Sequence, residues 1–417
     1  VHATASVAIN GPVLGLTNGF NFGLAIGFSV MISRFIGEGR IEKAREVIQN
    51  AMFHILWFGG LMTLIYTFVL VPNYVRWMGA DEAIWKGAMD YLRYLGYSRI
   101  FLVMTTICSN LLRGQGDTRR PMFCNVLRNI VNIFLNTLFI YPTRIVSILG
   151  FSFTAWGAGM GVAGAAIATT FANVVSGLMA LHYVFRPSNK VYIKFSECIG
   201  VRPILLKHIY KLGIPIAGER LVINGGQLAT MRMLTGIASA VVAANSLANT
   251  AESICYMPVS GFSIAATTLV AQWLGAGDSK RATELGNACI KYACRVMAVT
   301  ATLLYIFAPN IIDIFTDDAG VIAMAAEALR VQAFAELFVA IAMTTSGILR
   351  GAGDTNYSSL LTMSGMWLVR VPLAFFLTRY FDLKLLGVWI PMALDWTTRG
   401  ILMTIRYRRG KWKTAWK

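Results

Sequence analysis

The sequence predicts an all-α polytopic membrane protein with two pseudo-symmetric six-helix lobes. Three observations predict this fold class: an apolar composition, a series of long apolar stretches and an internal repeat. Of the 417 residues, 56% are hydrophobic and only 14% are charged, and the mean hydropathy is +0.60. A soluble domain carries about 25% charged residues. The composition therefore excludes a disordered chain and an ordinary soluble enzyme.

Eleven apolar stretches are long enough for helices that cross a bilayer, which takes about 20 residues. Polar, charged or glycine-rich breaks separate them. The predicted spanning helices are 10–34, 47–71, 84–112, 120–141, 156–185, 207–236, 243–273, 284–308, 320–349, 357–380 and 384–406. A basic linker over 186–206 follows the fifth helix. We therefore predict an N-terminal lobe over 1–190 and a C-terminal lobe over 191–417.

The net charge of +17 is distributed unevenly between the predicted loops. Basic residues concentrate in alternate loops, as at Arg40, Arg113, Arg186, Lys280 and Arg408, while the opposite loops hold few. An excess of Lys and Arg marks the cytoplasmic side of a membrane protein. We therefore predict a multi-pass protein of the cell (inner) membrane, with the lipid bilayer and no nucleic acid as a partner.

The sequence lacks the patterns of an enzyme. The six cysteines form no CxxC pair, the four histidines are scattered, and neither a GxSxG elbow nor a P-loop occurs. Gly159-x-Gly161-x-x-Gly164 matches a dinucleotide-binding pattern. It lies in an apolar stretch of helical length with no strand predicted before it, which favours close helix packing instead. We expect no enzymatic activity and no cofactor.

An internal repeat relates the two halves. Gly37 and Gly39 match Gly275 and Gly277 at an offset of 238, and a Leu-Arg-Gly-x-Gly-Asp-Thr motif at 112–118 recurs 237 positions later at 349–355. Repeats of the same orientation indicate halves related by an axis along the membrane normal. The helix at 207–236 has no counterpart in the first half. We therefore expect twelve helices in the full protein, with the first one missing from this chain.

The two motifs resemble those of multidrug and toxic compound extrusion (MATE) transporters, and so do the segments 159–169, 272–278 and 368–374. These motifs occur in order along essentially the whole chain. The resemblance implies two six-helix lobes around a central cavity, and export of small organic cations or drugs by alternating access in exchange for Na⁺ or H⁺. It implies no metal beyond a transient Na⁺. We expect a monomer.

A lipid-linked oligosaccharide flippase of the same superfamily is the alternative function. A flippase would need a basic cavity for its anionic lipid. Arginines within the membrane segments keep this alternative open: Arg220, Arg232, Arg295 and Arg370. The paired motif loops count against it.

The motif loops have a structural and a functional interpretation. Glycines permit tight turns, Asp-Thr can cap the next helix, and an arginine at the cytoplasmic boundary can bond helix-end carbonyls or lipid headgroups. Gating is the functional alternative. The residues concerned are Arg113, Gly114, Gly116, Asp117 and Thr118 in the first loop, and Arg350, Gly351, Gly353, Asp354 and Thr355 in the second.

Intramembrane carboxylates are the main candidates for cation coupling: Glu219, Glu252, Glu336 and, less so, Asp395. Burying such a charge in the bilayer costs at least about 2.5–3.5 kcal/mol, so it marks a functional candidate. A buried carboxylate can hold a proton, Na⁺ or a cationic drug, and competition among these ligands is a route to antiport. The alternative is a neutral or paired structural acid, with Arg220 beside Glu219 and Arg399 four residues after Asp395.

The family resemblance also implies an acid on the first and the fourth helix of the second lobe. Glu219 and Glu336 lie on those helices. Each stands about one turn before the place that the resemblance implies, where this sequence has Ile223 and Val339. One turn keeps roughly the same helix face.

A polar pair and three further residues complete the candidate site. Asn132 and Asn136 share a helix face, and the resemblance implies Asp at the second position. Amide oxygens can bind Na⁺ but cannot exchange protons, and interhelical hydrogen bonding is the alternative. Tyr256, Met257 and Thr169 are expected to line the cavity, where aromatic and methionine surfaces suit flat organic cations.

Overall fold

The computed structural model describes residues 6–77, 82–148, 151–198, 200–381 and 383–415. Helices dominate it, joined by short turns. The first half contains α1 Gly11–Gly37, α2 Ile41–Ile65, α3 Val71–Trp77, α4 Glu82–Tyr97, α5 Arg99–Gly114, α6 Arg119–Phe139, β1 Pro142–Ile148, β2 Phe151–Ala158 and α7 Gly161–Val184. The second half contains α8 Pro203–Thr235, α9 Ser239–Gly275, α10 Ser279–Asp313, α11 Ala319–Gly351, α12 Thr355–Ser364, α13 Val371–Tyr380 and α14 Leu386–Arg408.

The predicted membrane-protein fold is confirmed. Among the described residues, eight helices are long and apolar enough to cross a membrane, or nine if the pair α4–α5, bent by 50°, is one span. The helices α8 and α14 are outside this set, because Glu219-Arg220 and Asp395 with Arg399 lower their hydropathy. Glu219, Asp395 and Arg399 are nevertheless buried.

An antiparallel hairpin interrupts the helical chain between α6 and α7. Strand β1 pairs with β2, with Ile148 opposite Phe151. The helix predicted over 156–185 therefore begins only at Gly161. Gly159 (φ 64°) and Gly161 (φ 53°) turn the chain out of the strand, in a backbone conformation that other residues avoid.

This hairpin corrects one premise about the glycine-rich motif at 159–164. A strand does precede the motif, but it pairs antiparallel with β1, unlike the parallel βαβ unit that binds dinucleotides. A Cβ atom on Gly164 would collide with the Phe139 carbonyl. That glycine therefore allows α6 and α7 to pack closely.

The chain divides into two compact units. The first ends at Tyr210 and the second begins at Lys211, while Ser33–Gly39 belong to the second. Residues 191–210 thus group with the first unit, whereas the sequence analysis placed the division after residue 190. The first unit contains a buried cluster around Tyr66 and Leu92. In the second unit, α11 packs against α9, α10 and α14.

The repeated motifs have the same backbone geometry in each unit. Gly116 has φ 91° and Gly353 has φ 83°. Because L-residues with a Cβ rarely adopt this left-handed region, glycine is required at both turns. The sequence repeat therefore corresponds to a repeated turn between two helices.

Candidate functional site

Glu219 of α8 forms a buried ion pair. Arg350, at the end of α11, donates from Nη2 to Oε1 at 2.8 Å and to Oε2 at 3.0 Å. Ser359 of α12 donates its hydroxyl to Oε2 at 2.8 Å. Only 3% of Glu219 and 8% of Arg350 are exposed. The carboxylate therefore has a counter-charge and accepts three hydrogen bonds inside the second unit.

This pairing changes the interpretation of the second motif loop. The sequence suggested that Arg350 bonds helix-end carbonyls or lipid headgroups, and that Arg220 would pair with Glu219. The hydrogen-bonded partner of Glu219 is Arg350, 131 positions away along the chain, and Arg220 also attracts Glu219 electrostatically. Arg350 thus links the motif loop to α8.

Glu336 of α11 has no such partner. Its side chain is completely buried, and neither carboxylate oxygen accepts a hydrogen bond. Gln332, one turn earlier on α11, is close enough to favour the charged carboxylate, yet both of its own polar atoms are buried and unsatisfied. Such a cluster of unsatisfied buried groups is unusual in proteins and is typical of a binding site for water or an ion.

Glu252 of α9 lies near Glu336. The two carboxylates are close enough to repel each other, and Gln332 is adjacent to both. Glu252 is also buried. Unlike Glu336, it is attracted electrostatically by a nearby arginine, Arg370. The structure therefore brings together two of the acids that the sequence selected, on α9 and α11.

Asp395 of α14 lies between two arginines. Arg370 donates from Nε to Oδ2 at 3.1 Å, and Arg399 donates from Nε to Oδ1 at 2.7 Å and from Nη2 to Oδ2. The spacing of four residues between Asp395 and Arg399 predicts this contact. Gly365 makes room for the cluster, since a Cβ there would collide with Asp395 Oδ1. Asp395 is thus a structural counter-charge rather than an accessible acid.

The two motif loops use their aspartates differently. Asp117 Oδ1 accepts hydrogen bonds from the backbone N–H groups of Arg119 at 3.0 Å and Arg120 at 3.2 Å. Asp117 thereby caps the N-terminus of α6. Asp354 makes no side-chain cap at α12. It instead accepts Arg406 Nε at 2.9 Å, joining the loop to the end of α14.

The glycines and threonines of the loops differ in packing and in exposure. A Cβ on Gly351 would collide with the Thr267 carbonyl, so this glycine allows α11 to approach α9. Thr355 is buried at the start of α12, whereas Thr118 is exposed. Arg113 is half-buried near the end of α5, directly before Gly114.

The polar pair of the first unit forms a chain of hydrogen bonds. Asn136 Nδ2 donates to Asn132 Oδ1 at 3.0 Å, and Asn132 Nδ2 donates to Thr169 Oγ1 at 3.0 Å. Thr169 in turn donates to the Ala165 carbonyl at 2.9 Å. The chain connects α6 with α7. One atom is left over: Asn136 Oδ1 is buried and accepts no hydrogen bond.

Tyr256 and Met257 lie one turn beyond Glu252 on α9. They are 38% and 63% exposed. Tyr256 is close enough to Glu252 and Glu336 to interact with them electrostatically. Tyr256 is therefore within electrostatic reach of the acidic pair, while Met257 is largely exposed.

Two buried residues were not singled out by the sequence analysis. Arg99, at the bend between α4 and α5, lies with its guanidinium 4.2 Å from the centroid of the Tyr66 ring and donates to Asn18 Oδ1 at 2.9 Å. His54 of α2 is completely buried, with Nδ1 2.8 Å from Tyr210 Oη. A charged or titratable residue inside a long apolar stretch was the available signal for both.

Comparison with known proteins points to one family. A family model described as MatE matches residues 1–138 and 215–376. The chain is 28% identical over 416 residues to a probable multidrug resistance protein NorM of Thermotoga maritima, covering 99% of this chain and 86% of the relative. It is 28% identical over 400 residues to a protein of the same name from Pasteurella multocida, covering 94% and 82%. A solved multidrug resistance transporter of the MATE family, in an outward-facing conformation, has a TM-score of 0.88 at 25% identity and covers 99% of this chain and 89% of that chain.

Proposed function

The chain belongs to the MATE family, and from this premise we propose that it is a secondary antiporter exporting small organic cations in exchange for Na⁺ or H⁺. The names of its relatives, which refer to multidrug resistance, support drug efflux as the activity. The concentration of Lys and Arg in the loops on one predicted side of the membrane supports the cytoplasmic membrane as the location of the protein. Alternating access is the mode of transport we assign to it.

The observation that carries this proposal is the unpartnered carboxylate of Glu336 beside that of Glu252. Two buried carboxylates repel each other, and each loses the solvation that water would supply. A proton or Na⁺ bound between them relieves both penalties. An organic cation near Tyr256 would do the same through its own charge. Because the pair holds one compensating charge at a time, cation and drug compete, which couples their movements in opposite directions.

Glu219 is less suited to exchange a cation. Its carboxylate already accepts hydrogen bonds from Arg350 and Ser359. Any cation would have to displace the guanidinium from a site with almost no exposure to water. We therefore assign coupling to Glu336 and Glu252, and assign to Glu219 the positioning of Arg350.

The asparagines of the first unit supply a second, weaker cation site in this proposal. Asn136 Oδ1 has no donor, and Asn132 and Thr169 hold it in place through the hydrogen-bond chain. Amide and hydroxyl oxygens bind hard cations but carry no exchangeable proton at ordinary pH. This site would therefore contribute to coupling by Na⁺ and not by H⁺.

The flippase alternative is not adopted. A flippase would need intramembrane arginines whose charge is available to an anionic lipid. Arg370 instead donates to Asp395 and lies near Glu252, so carboxylates of the protein already balance its charge.

Ethidium efflux from pump-deficient cells that express the chain tests the proposal. Efflux is followed under an imposed Na⁺ gradient and under an imposed pH gradient, for the parent chain and for Glu336→Gln and Glu252→Gln. The control is Glu284→Gln, which removes the same charge from an acid whose side chain is 49% exposed. We expect gradient-dependent efflux in the parent and the control, and loss of the gradient dependence in Glu336→Gln.

Two results would contradict these assignments. Efflux by the parent that ignores both gradients would refute antiport. Full gradient dependence in both Glu336→Gln and Glu252→Gln, at equal protein abundance, would refute the coupling site but leave antiport standing.

A further inference from the structure

A pocket of about 360 Å³ lies between the first motif loop and the start of the basic linker, within the first unit. Residues 115–120 form one wall and residues 188–190 the other. Hydrogen bonds connect the walls: Val191 N donates to Gln115 Oε1 at 3.0 Å, and Arg120 donates to Ser188 Oγ at 2.8 Å and to Asn189 Oδ1. The pocket is therefore held open by specific contacts rather than by a loose loop.

Three cations line this pocket and only one acid does. The cations are Arg119, Arg120 and Lys190, and the acid is Asp117. Asp117 is engaged by the backbone of α6 and by Arg120, whose Nε lies 3.2 Å from Oδ2. Within the described ranges, the side chains of Arg119 and Lys190 form neither an ion pair nor a hydrogen bond. The pocket thus has an excess of two positive charges with donors still available.

Gln115 adds a donor that has no acceptor. The residue is 4% exposed, its Oε1 accepts a hydrogen bond from Val191 N, and its Nε2 is buried without a hydrogen-bond partner. An amide nitrogen can only donate, so its missing partner must be an oxygen or another acceptor. Together with the cations, this donor indicates an anionic ligand that offers several oxygens.

The second repeat shows that the turn does not need this chemistry. At the positions 237 residues later, Ala352, Asn356 and Tyr357 replace Gln115, Arg119 and Arg120. The turn there has the same positive φ at its glycine. The basic pocket is therefore an addition to one repeat and is not required for folding the shared motif.

An apolar stripe leads from the pocket along α6. Met122, Val126, Ile130 and Ile133 follow Arg119 at intervals of three or four residues, and they are 61%, 47%, 58% and 65% exposed. Residues at this spacing share one face of a helix. In a helix apolar enough to cross the membrane, such a face contacts lipid chains.

From these observations we propose that the pocket binds the phosphate of an anionic phospholipid, with an acyl chain along the stripe on α6. The basic loops place the pocket on the cytoplasmic side, where anionic lipids attract basic segments near the membrane surface. Arg119 and Lys190 neutralise the phosphate, and Gln115 Nε2 donates to one of its oxygens. The site is separate from the acids proposed for coupling and does not depend on the proposed transport.

Lipid binding to the purified chain tests this proposal. Native mass spectrometry of the protein in detergent, titrated with phosphatidylglycerol or phosphatidylcholine, measures affinity for each lipid. The test variant is Arg119→Gln/Lys190→Gln, which spares the structural contacts of Arg120. The control is Lys207→Gln/Lys211→Gln, which removes two charges from exposed positions on the same predicted side of the membrane. We expect phosphatidylglycerol to bind the test variant about 30-fold more weakly than the parent, and the control within about twofold of the parent.

A second variant and a competitor make the result decisive. Gln115→Ala introduces the residue of the second repeat and should weaken phosphatidylglycerol binding several-fold without altering the charge. Unchanged binding in the double variant, or equal binding of phosphatidylcholine and phosphatidylglycerol, would overturn the proposal. Displacement of phosphatidylglycerol by millimolar inorganic phosphate would assign the pocket to a soluble anion and overturn the lipid assignment.

Discussion

Replacing Glu219 by glutamine is expected to destabilise the second unit, because Arg350 would lose its counter-charge. Arg350 as a residue is 8% exposed, and its Nη2 donates to both carboxylate oxygens at 2.8 and 3.0 Å. Removing one partner of a buried pair costs about 3–5 kcal/mol. Since glutamine retains one oxygen that can accept a hydrogen bond, we expect a loss near the lower end, about 3 kcal/mol.

A double-mutant cycle isolates this interaction. Arg350→Gln alone should cost a similar amount, while Glu219→Gln/Arg350→Gln leaves two neutral amides. We expect the double variant to be less destabilised than the sum of the single variants by about 2–3 kcal/mol. The matched control is Arg281–Glu284, whose atoms are also 3.0 Å apart but whose side chains are 52% and 49% exposed. An exposed pair contributes less than about 1 kcal/mol.

Reversible unfolding in mixed micelles with increasing sodium dodecyl sulfate measures these free energies. Both cycles are followed by tryptophan fluorescence under one set of conditions. A loss below about 1 kcal/mol in Glu219→Gln would refute the argument from burial. So would strict additivity in the Glu219–Arg350 cycle, because it would mean that the two charges do not stabilise each other.

The same unfolding assay checks three further predictions. Glu336→Gln should leave the free energy of unfolding unchanged or higher, since it removes a buried carboxylate without a partner; a large loss would show that Glu336 is paired in the folded protein. Asp395→Asn should lower the free energy of unfolding by about 3–5 kcal/mol. Arg399→Gln should lower it less, because Arg370 still neutralises the Asp395 carboxylate. A larger loss in Arg399→Gln than in Asp395→Asn would contradict this arrangement of charges. Gly365→Ala should lower the free energy of unfolding by about 1–3 kcal/mol, because the added methyl group collides with Asp395. At Gly261 a methyl group meets nothing within 4 Å, so Gly261→Ala should stabilise α9 by up to about 1 kcal/mol. Equal effects of the two substitutions would refute the packing argument.

Most of the fold could be predicted because the signals are local. An apolar stretch of about 20 residues bounded by polar turns predicts a spanning helix whatever surrounds it. The hairpin is the exception. Phe151–Ala158 is apolar and continuous with α7, and periodicity alone does not separate a short apolar strand from a helix segment. Its pairing with Pro142–Ile148 and the positive φ of Gly159 make it a strand.

The candidate site could be predicted only in part. Residue type and position in an apolar helix were enough to select the buried acids, since an intramembrane charge is costly wherever it lies. The same signal did not show which acids are neutralised. It also ranked Glu219 with Glu336, although the structure gives them opposite surroundings.

Composition, the order of apolar stretches and the repeated motifs therefore establish a polytopic helical protein of the MATE family. The pairing of charges depends on contacts between distant segments. Arg350 and Ser359 reach Glu219 across 131 and 140 positions, while Glu336 is left without a partner. Coulombic and hydrogen-bond energies depend on distance and burial in space, so packing decides which carboxylate is paired and which is left unpaired.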